Sequence, residues 1–217
     1  MIKMMITVAR AAGTTHEQLL DVWENVHIPH VADVIQPLRY IVTFFHDEDI
    51  FPAPDFDGMA ELWFRDQKHF DEVFRADPAN QEKLTADGFG RYIDPAKLQW
   101  YPLTEYVNVD GTVTRETVKL VYYVRRKEGV ARDALHRSWL DVHLPNVAAA
   151  VSASNLGIRY TVSLVTSEES LPYDGVAQIW MAGSDPSISE LGIELDAFSE
   201  VMGVVHSSKG HEITVIE

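Results

Sequence analysis

The chain of 217 residues contains an internal duplication, and this feature limits its possible folds more than any other. The run DVWENVHIPHV at residues 21–31 returns as RSWLDVHLPNV at residues 137–147, so that tryptophan, histidine and proline each recur 116 positions later. Downstream, FDGMAELW at residues 56–63 returns as YDGVAQIW at residues 173–180. One long period that occurs twice predicts two fused copies of a unit rather than a solenoid of many short repeats.

Hydrophobic periodicity predicts the same elements in each copy. In the first copy, Thr14 and Glu17 have the spacing of a capping box at the start of a helix, and we expect Pro29 to end or kink that helix. The predicted order is strand, helix, strand, strand, helix, strand, at about residues 2–9, 14–29, 40–46, 57–64, 67–90 and 98–107. This order is typical of a ferredoxin-like unit. We therefore expect an α+β fold of two fused ferredoxin-like βαββαβ units, residues 1–109 and 117–217.

The composition excludes several classes of function. The chain has 18 Lys and Arg residues against 33 Asp and Glu residues, and this net charge of −15 opposes nucleic acid or an anionic membrane as a partner. Cysteine is absent, which excludes disulfides, iron–sulfur clusters and a thiolate nucleophile. Residues 1–12 lack the features of a signal peptide, and no run approaches the ~20 apolar residues that span a bilayer. We expect a cytoplasmic protein.

Three motifs occur in both copies in the same order: W-x3-H-x-P, then an Arg-Tyr pair, then F/Y-D-G-x-A-x-x-W. With these motifs the chain resembles the EthD family of the dimeric α+β barrel superfamily, over nearly its whole length and twice. The run from Ala86 through Asp87 to Phe89, followed by Tyr92-Ile93-Asp94, is similar to the closing A-D…F-x-D pattern of that family. The tail of the second copy, residues 191–206, is shorter and shows no clear version of this pattern.

The resemblance implies that the two sheets form one barrel within a single chain, with helices outside. It also implies an apolar ligand pocket between sheet and helices. Members of the superfamily act on small aromatic or polyketide-derived molecules as decarboxylases or dehydratases, related barrels are oxygenases without a cofactor, and others bind haem. Exposed sheet edges or helices could still lead to a homodimer.

Histidine and tyrosine residues are the candidates for catalysis. His27 lies in the duplicated motif, and a histidine that titrates near neutrality can take and return a proton without a cofactor. Its counterpart His143 is a candidate for substrate binding. Tyr40 and His46 lie on one face of the second predicted strand, where they would act as a proton donor and a base at the two ends of a pocket. The alternative for His27 is a buried histidine that holds a backbone carbonyl.

Aromatic residues are the candidates for the pocket wall. Trp23, one helical turn before His27, would stack on an aromatic substrate, and Phe44 and Trp63 would complete the apolar wall. Glu61 shares a strand face with Trp63, and a carboxylate among apolar neighbours would have a raised pKa. The alternatives are a core role for Trp23 and a solvent-exposed face for Glu61 and Trp63.

No metal or cofactor is expected. His27, His30 and Asp33 have a spacing that could place ligands along one helix, but Pro29 disrupts that helix and no further His/Asp cluster completes the set. Phosphate-binding loops and nucleophile elbows are absent as well.

Our leading hypothesis is therefore an enzyme: a cofactor-independent lyase that acts on a small phenolic or polyketide-like aromatic by decarboxylation, dehydration or retro-aldol cleavage. A cofactor-free aromatic monooxygenase and a non-catalytic protein that binds an apolar ligand are the alternatives. The substrate, and whether one or both units carry a site, stay open at this point.

Overall fold

The computed structural model describes residues 1–46, 56–74, 78–167, 171–194 and 196–217. The strands in these residues are β1 (Ile2–Val8), β2 (Arg39–Phe45), β3 (Gly58–Phe64), β4 (Gln99–Val109), β5 (Val118–Arg126), β6 (Gly157–Val165), β7 (Gly175–Met181) and β8 (Met202–Ile216). The α-helices are α1 (His16–Val22), α2 (Ile28–Ile35), α3 (Gln67–Phe74), α4 (Pro78–Thr85), α5 (Arg132–Ser138), α6 (Leu144–Ala153) and α7 (Phe198–Val201). Hydrogen bonds join the strands in the orders β1-β3-β2 and β8-β5-β7-β6-β4, and every pair is antiparallel. The predicted α+β class is confirmed.

The first of two compact units draws its described residues from 1–46, 56–102 and 212–217. In it, β3 lies between β1 and β2 and pairs with both in antiparallel register. Alternate side chains of these strands pack against the helices, and the buried core they form includes Met4, Tyr40 and Leu62 together with Trp23 and Phe89.

The opposite face of the same three strands is also buried but is partly charged. Lys3 Nζ lies 2.6 Å from Glu61 Oε1, and both side chains are almost fully buried. The ammonium of Lys3 and the guanidinium of Arg39 lie 4.7 Å and 5.0 Å from the ring centre of Trp63. The alternative in which this face is solvent-exposed is therefore wrong, because Glu61 and Trp63 are 1% and 3% exposed.

The helix that carries Trp23 and His27 begins and continues differently from the prediction. The capping box is formed by Thr15 and Gln18, one position later than the predicted pair Thr14 and Glu17. Pro29 does not end the helix, because residues Trp23–His27 form a π turn in which the Ile28 N–H bonds to the carbonyl of Trp23. Proline follows this wider turn in the first turn of α2, where its missing N–H costs least.

The described residues of the second unit lie within 103–211 and repeat this arrangement. Strand β7 lies between β5 and β6 in antiparallel register, and a π turn at Trp139–His143 separates α5 from α6. The helical segment after β7 is smaller, however. Where the first unit has α3 and α4, the described residues of the second unit have a short 3-10 helix, Ile188–Leu191, and the four-residue α7. The tail of the second repeat is thus shorter, as expected.

Candidate functional site

A cavity of about 450 Å³ lies in the first unit, between the sheet and its helices. This volume is within the range of small-molecule sites, which is about 300–1,000 Å³. Strand residues form its floor, and residues of α3, α4 and the segment before β4 form its sides. The lining is mostly apolar: Met4, Ile6, Val8, Trp23, His27, Val31, Tyr40, Ala60, Leu62, Phe70, Phe74, Leu84, Thr85, Phe89, Gly90, Ile93, Leu98 and Trp100.

His27 is the titratable imidazole in this lining. It is the last residue of the π turn, and its ring stacks on Phe89 with a centroid distance of 3.9 Å and an interplanar angle of 11°. Its Nδ1 lies 2.6 Å from Oδ2 of Asp87, whose side chain is only 4% exposed. The other carboxylate oxygen of Asp87 accepts the N–H of Phe89 at 3.0 Å. One short segment therefore supplies both the ring under His27 and the acceptor beside it.

The electrostatics keep His27 neutral near pH 7. Burial lowers its pKa, and this effect outweighs the opposite influence of the Asp87 carboxylate, while nearby His30 lowers the pKa further. In a neutral imidazole one nitrogen donates and the other accepts. The carboxylate of Asp87 faces Nδ1 of this ring.

Tyr40 and Trp23 are the other polar groups of the predicted site that line the cavity, and each is 1% exposed. Burial raises the pKa of the Tyr40 hydroxyl strongly, although the neighbouring indole of Trp23 opposes the rise. Tyr40 therefore stays protonated and can donate a hydrogen bond. The indole N–H of Trp23 is buried and makes no hydrogen bond of normal geometry with the described residues. The Trp23 ring packs edge-on against Phe44 at 5.4 Å.

The remaining predicted residues lie elsewhere. Phe44 supports Trp23 but is not part of the cavity lining. Glu61 and Trp63 lie on the opposite face of β3, next to Lys3 and Arg39, and His46 follows the end of β2; none of these three lines the cavity. The structure therefore brings together His27, Tyr40 and Trp23 of the predicted set.

His143 of the second unit has the same kind of surroundings as His27. Its Nδ1 lies 2.9 Å from Oδ2 of Asp196, and its ring stacks on Phe198 with a centroid distance of 4.5 Å and an angle of 23°. The expectation that this unit lacks the closing motif is wrong at these two positions, because Oδ1 of Asp196 also accepts the N–H of Phe198. The spacing Asp-x-Phe at residues 87–89 and 196–198 is the signal that could have revealed both carboxylates.

The charge of the lining limits what the cavity can hold. Its described residues include no lysine or arginine, so the cavity offers no ammonium or guanidinium to pair with an anionic group. Among the described residues, no group of three or more His, Cys, Asp or Glu side chains could hold a metal ion. In the same part of the chain, no helix has the length and apolar character needed to cross a membrane.

Comparisons with known proteins match a family model to part of the chain and solved structures of similar fold to nearly all of it. The family model of the EthD domain matches residues 11–96. The crystal structure of an anthrone oxidase-like protein is 11% identical and matches 100% of this chain and 93% of its own, with a TM-score of 0.61. A mutant chlorite dismutase from Candidatus Nitrospira defluvii is 8% identical, with coverage of 99% and 92% and a TM-score of 0.59. No curated protein matches the sequence.

Proposed function

From the match of the EthD domain model to residues 11–96, we propose that the protein is a cofactor-independent lyase for a small phenolic or polyketide-like aromatic molecule. The observation that carries the proposal is the placement of His27, with Asp87 behind it, in the wall of an apolar cavity of about 450 Å³. The volume and the mostly apolar lining suit a small aromatic ring system.

The proposed reaction uses two polar groups of the cavity. Neutral His27 takes a proton from the substrate through Nε2, electrons move toward an oxygen that the Tyr40 hydroxyl holds, and a bond of the substrate breaks. His27 then returns the proton to the product. Decarboxylation, dehydration and retro-aldol cleavage share this requirement. A hydrogen bond from Tyr40 stabilises developing negative charge more strongly here than in water, because the surroundings are apolar.

The finer architecture is part of the same proposal. We interpret both units as copies of one βαββαβ ferredoxin-like unit. The support is the repeated order of strand, helix with a π turn, two strands, a helical segment and a strand. In this interpretation the first copy carries the catalytic cavity, since Phe70, Phe74 and Leu84 of its α3 and α4 form part of the wall.

The decisive experiment compares His27→Ala with the matched variant His143→Ala. Purified protein is incubated with a panel of phenolic carboxylic acids and hydroxylated anthrones, and products are identified by liquid chromatography and mass spectrometry. We expect His27→Ala to lower turnover at least ~100-fold, which is the contribution typical of a general acid or base. His143→Ala should retain turnover within a few fold. A His27→Ala protein that folds and keeps wild-type turnover would disprove the role of His27.

The same assay separates the rival functions. A lyase forms product equally well under air and under nitrogen. Anthrone oxidation that consumes dissolved oxygen, measured with an oxygen electrode, would instead establish a cofactor-free monooxygenase. Saturable quenching of tryptophan fluorescence without any product would establish a binding protein, since Trp23 and Trp100 both line the cavity.

A further inference from the structure

We propose that Asp87 is a positioning residue that holds His27 in one tautomer, with the proton on Nδ1 and the lone pair of Nε2 available in the cavity. Its catalytic consequence rests on the proposed function, but the tautomer itself does not. The closing motif contains Asp87 but gives it no role, and this residue lies 60 positions after His27.

The hydrogen bonds of Asp87 determine the direction of the bond to His27. Oδ1 accepts the N–H of Phe89 at 3.0 Å, and Oδ2 lies 2.6 Å from Nδ1 of His27. An ionised carboxylate can only accept, so the proton of this bond must come from Nδ1. The ring of Phe89 keeps the imidazole in a fixed plane at 3.9 Å, which leaves Nε2 as the basic atom.

A single residue separates the aspartate from the phenylalanine in both units: Gly88 in the first, and Ala197, with a φ of −64°, in the second. Gly88 has a φ of 81°, a left-handed backbone conformation that residues other than glycine rarely adopt. The turn directs the carboxylate of Asp87 and the ring of Phe89 toward the same imidazole. The two residues that hold His27, Asp87 and Phe89, therefore lie in one segment of three residues before the last strand of the first repeat.

The second unit offers a natural comparison in which the carboxylate is shared. Oδ2 of Asp196 accepts from His143 and also from Nδ2 of Asn146, both at 2.9 Å. The position equivalent to Asn146 is His30, whose Nε2 bonds to the carbonyl of Lys83 instead. Among the described residues, Oδ2 of Asp87 therefore has His27 as its single hydrogen-bonding partner. The shorter distance of 2.6 Å agrees with an acceptor that is not divided between two donors.

Asp87→Asn tests the assignment because the amide has only one way to fit. The N–H of Phe89 still requires an acceptor, so the amide oxygen takes the Oδ1 position and the amide NH2 faces Nδ1 of His27. Nδ1 must then accept, and the proton moves to Nε2, the inversion known for other aspartate–histidine pairs. The nitrogen chemical shifts of the imidazole, measured by long-range 1H–15N NMR at pH 7.5, distinguish the two tautomers. Asp196→Asn is the matched control, and His27→Ala and His143→Ala assign the signals.

We expect wild-type His27 to carry its proton on Nδ1 and Asp87→Asn to move it to Nε2, while Asp196→Asn changes only the signals of His143. A wild-type signal with the proton on Nε2, or an Asp87→Asn spectrum without change, would overturn the assignment. If Asp87→Asn does not fold, the wild-type spectrum decides alone. With a substrate from the product screen, Asp87→Asn should lower kcat at least ~100-fold and change KM by less than ~3-fold. If the tautomer is inverted but kcat is unchanged, the tautomer assignment stands and the catalytic role of Asp87 is refuted. If the protein has no lyase activity, the proposed function fails and the tautomer assignment from NMR still stands.

Discussion

His27 and His143 occupy equivalent positions in the two repeats and have the same kinds of neighbours. Both bond through Nδ1 to an aspartate and stack on a phenylalanine. His27 lines a cavity of about 450 Å³ in the first unit. In the second unit, the counterparts of Trp23 and Tyr40 are Trp139 and Tyr160, which are fully buried. The two repeats therefore form a matched pair in which the role proposed for His27 can be tested against His143.

Buried histidines should make the protein less stable as the pH falls below neutrality. Burial lowers the pKa of His27, His136 and His206, and Arg132 lowers that of His136 further. In the unfolded chain a histidine binds its proton below about pH 6.5, whereas these folded histidines resist protonation. Their stabilising contribution is therefore complete above pH 6.5 and is lost as the pH falls toward the lowered folded pKa.

His136→Gln isolates one of these contributions. Nε2 of His136 is buried and has no hydrogen-bond partner in the described residues. Burial and Arg132 lower the pKa of His136 more than Asp174 and Asp133 raise it. Urea unfolding between pH 7.5 and 5.5 should show that the variant loses less free energy of unfolding than the wild type, by at most about 1.4 kcal/mol per pH unit. Relief of repulsion among the excess carboxylates affects both proteins alike and cancels in the difference. Parallel curves for the two proteins would contradict the prediction.

The π turn is the element that the duplicated motif encodes. In both units the five residues from tryptophan to histidine form this turn, and the residue that follows bonds to the carbonyl of the tryptophan, five positions earlier. π turns are rare inside α-helices, and they occur frequently at functional sites. The spacing W-x3-H was visible in the sequence, but an ordinary helix with a proline kink explained it equally well. Only the backbone hydrogen bonds distinguish the two.

Gly58 at the start of β3 fixes how closely this turn approaches the sheet. A Cβ at this position would lie 2.6 Å from the carbonyl oxygen of Thr43 and 2.9 Å from the ring of Trp23. We expect Gly58→Ala to destabilise the fold by about 1–3 kcal/mol, as overpacking does, and to displace Trp23 from the cavity wall. Chemical unfolding measures the first effect, and ligand-induced quenching of tryptophan fluorescence measures the second.

Gly175 provides the matched control for Gly58. Its added Cβ would meet the carbonyl oxygen of Ser163 at 2.7 Å and the ring of Trp139 at 2.8 Å, in the second unit. Gly175→Ala should therefore destabilise the protein to a similar extent but leave ligand binding in the first unit unchanged. Equal losses of binding in both variants would indicate a general loss of folding rather than a local change at Trp23.

For the whole molecule, the sequence supported the class of fold better than the details of the site. The duplication and the alternating strands were enough to predict an α+β protein with repeated elements. Alternation alone could not tell which face of β3 meets the helices, because both faces are buried; Ala60 and Leu62 line the cavity, whereas Glu61 and Trp63 do not. Asp87 and Asp196 were missed as partners because they approach the histidines only through loops of unequal length.

The C-terminal residues provide a test at this largest scale. The repeats predict units at residues 1–109 and 117–217, but residues 212–217 group with the first compact unit, where Val215 and Ile216 pack against its core. Deletion of residues 212–217 should therefore weaken the first unit, lower the Tm by several degrees and speed amide hydrogen exchange in β1, β2 and β3. Deletion of the exposed Glu217 alone is the control and should change little. Faster exchange confined to β6 and β7 would instead show that these residues stabilise the second unit, as the simple division into repeats implies.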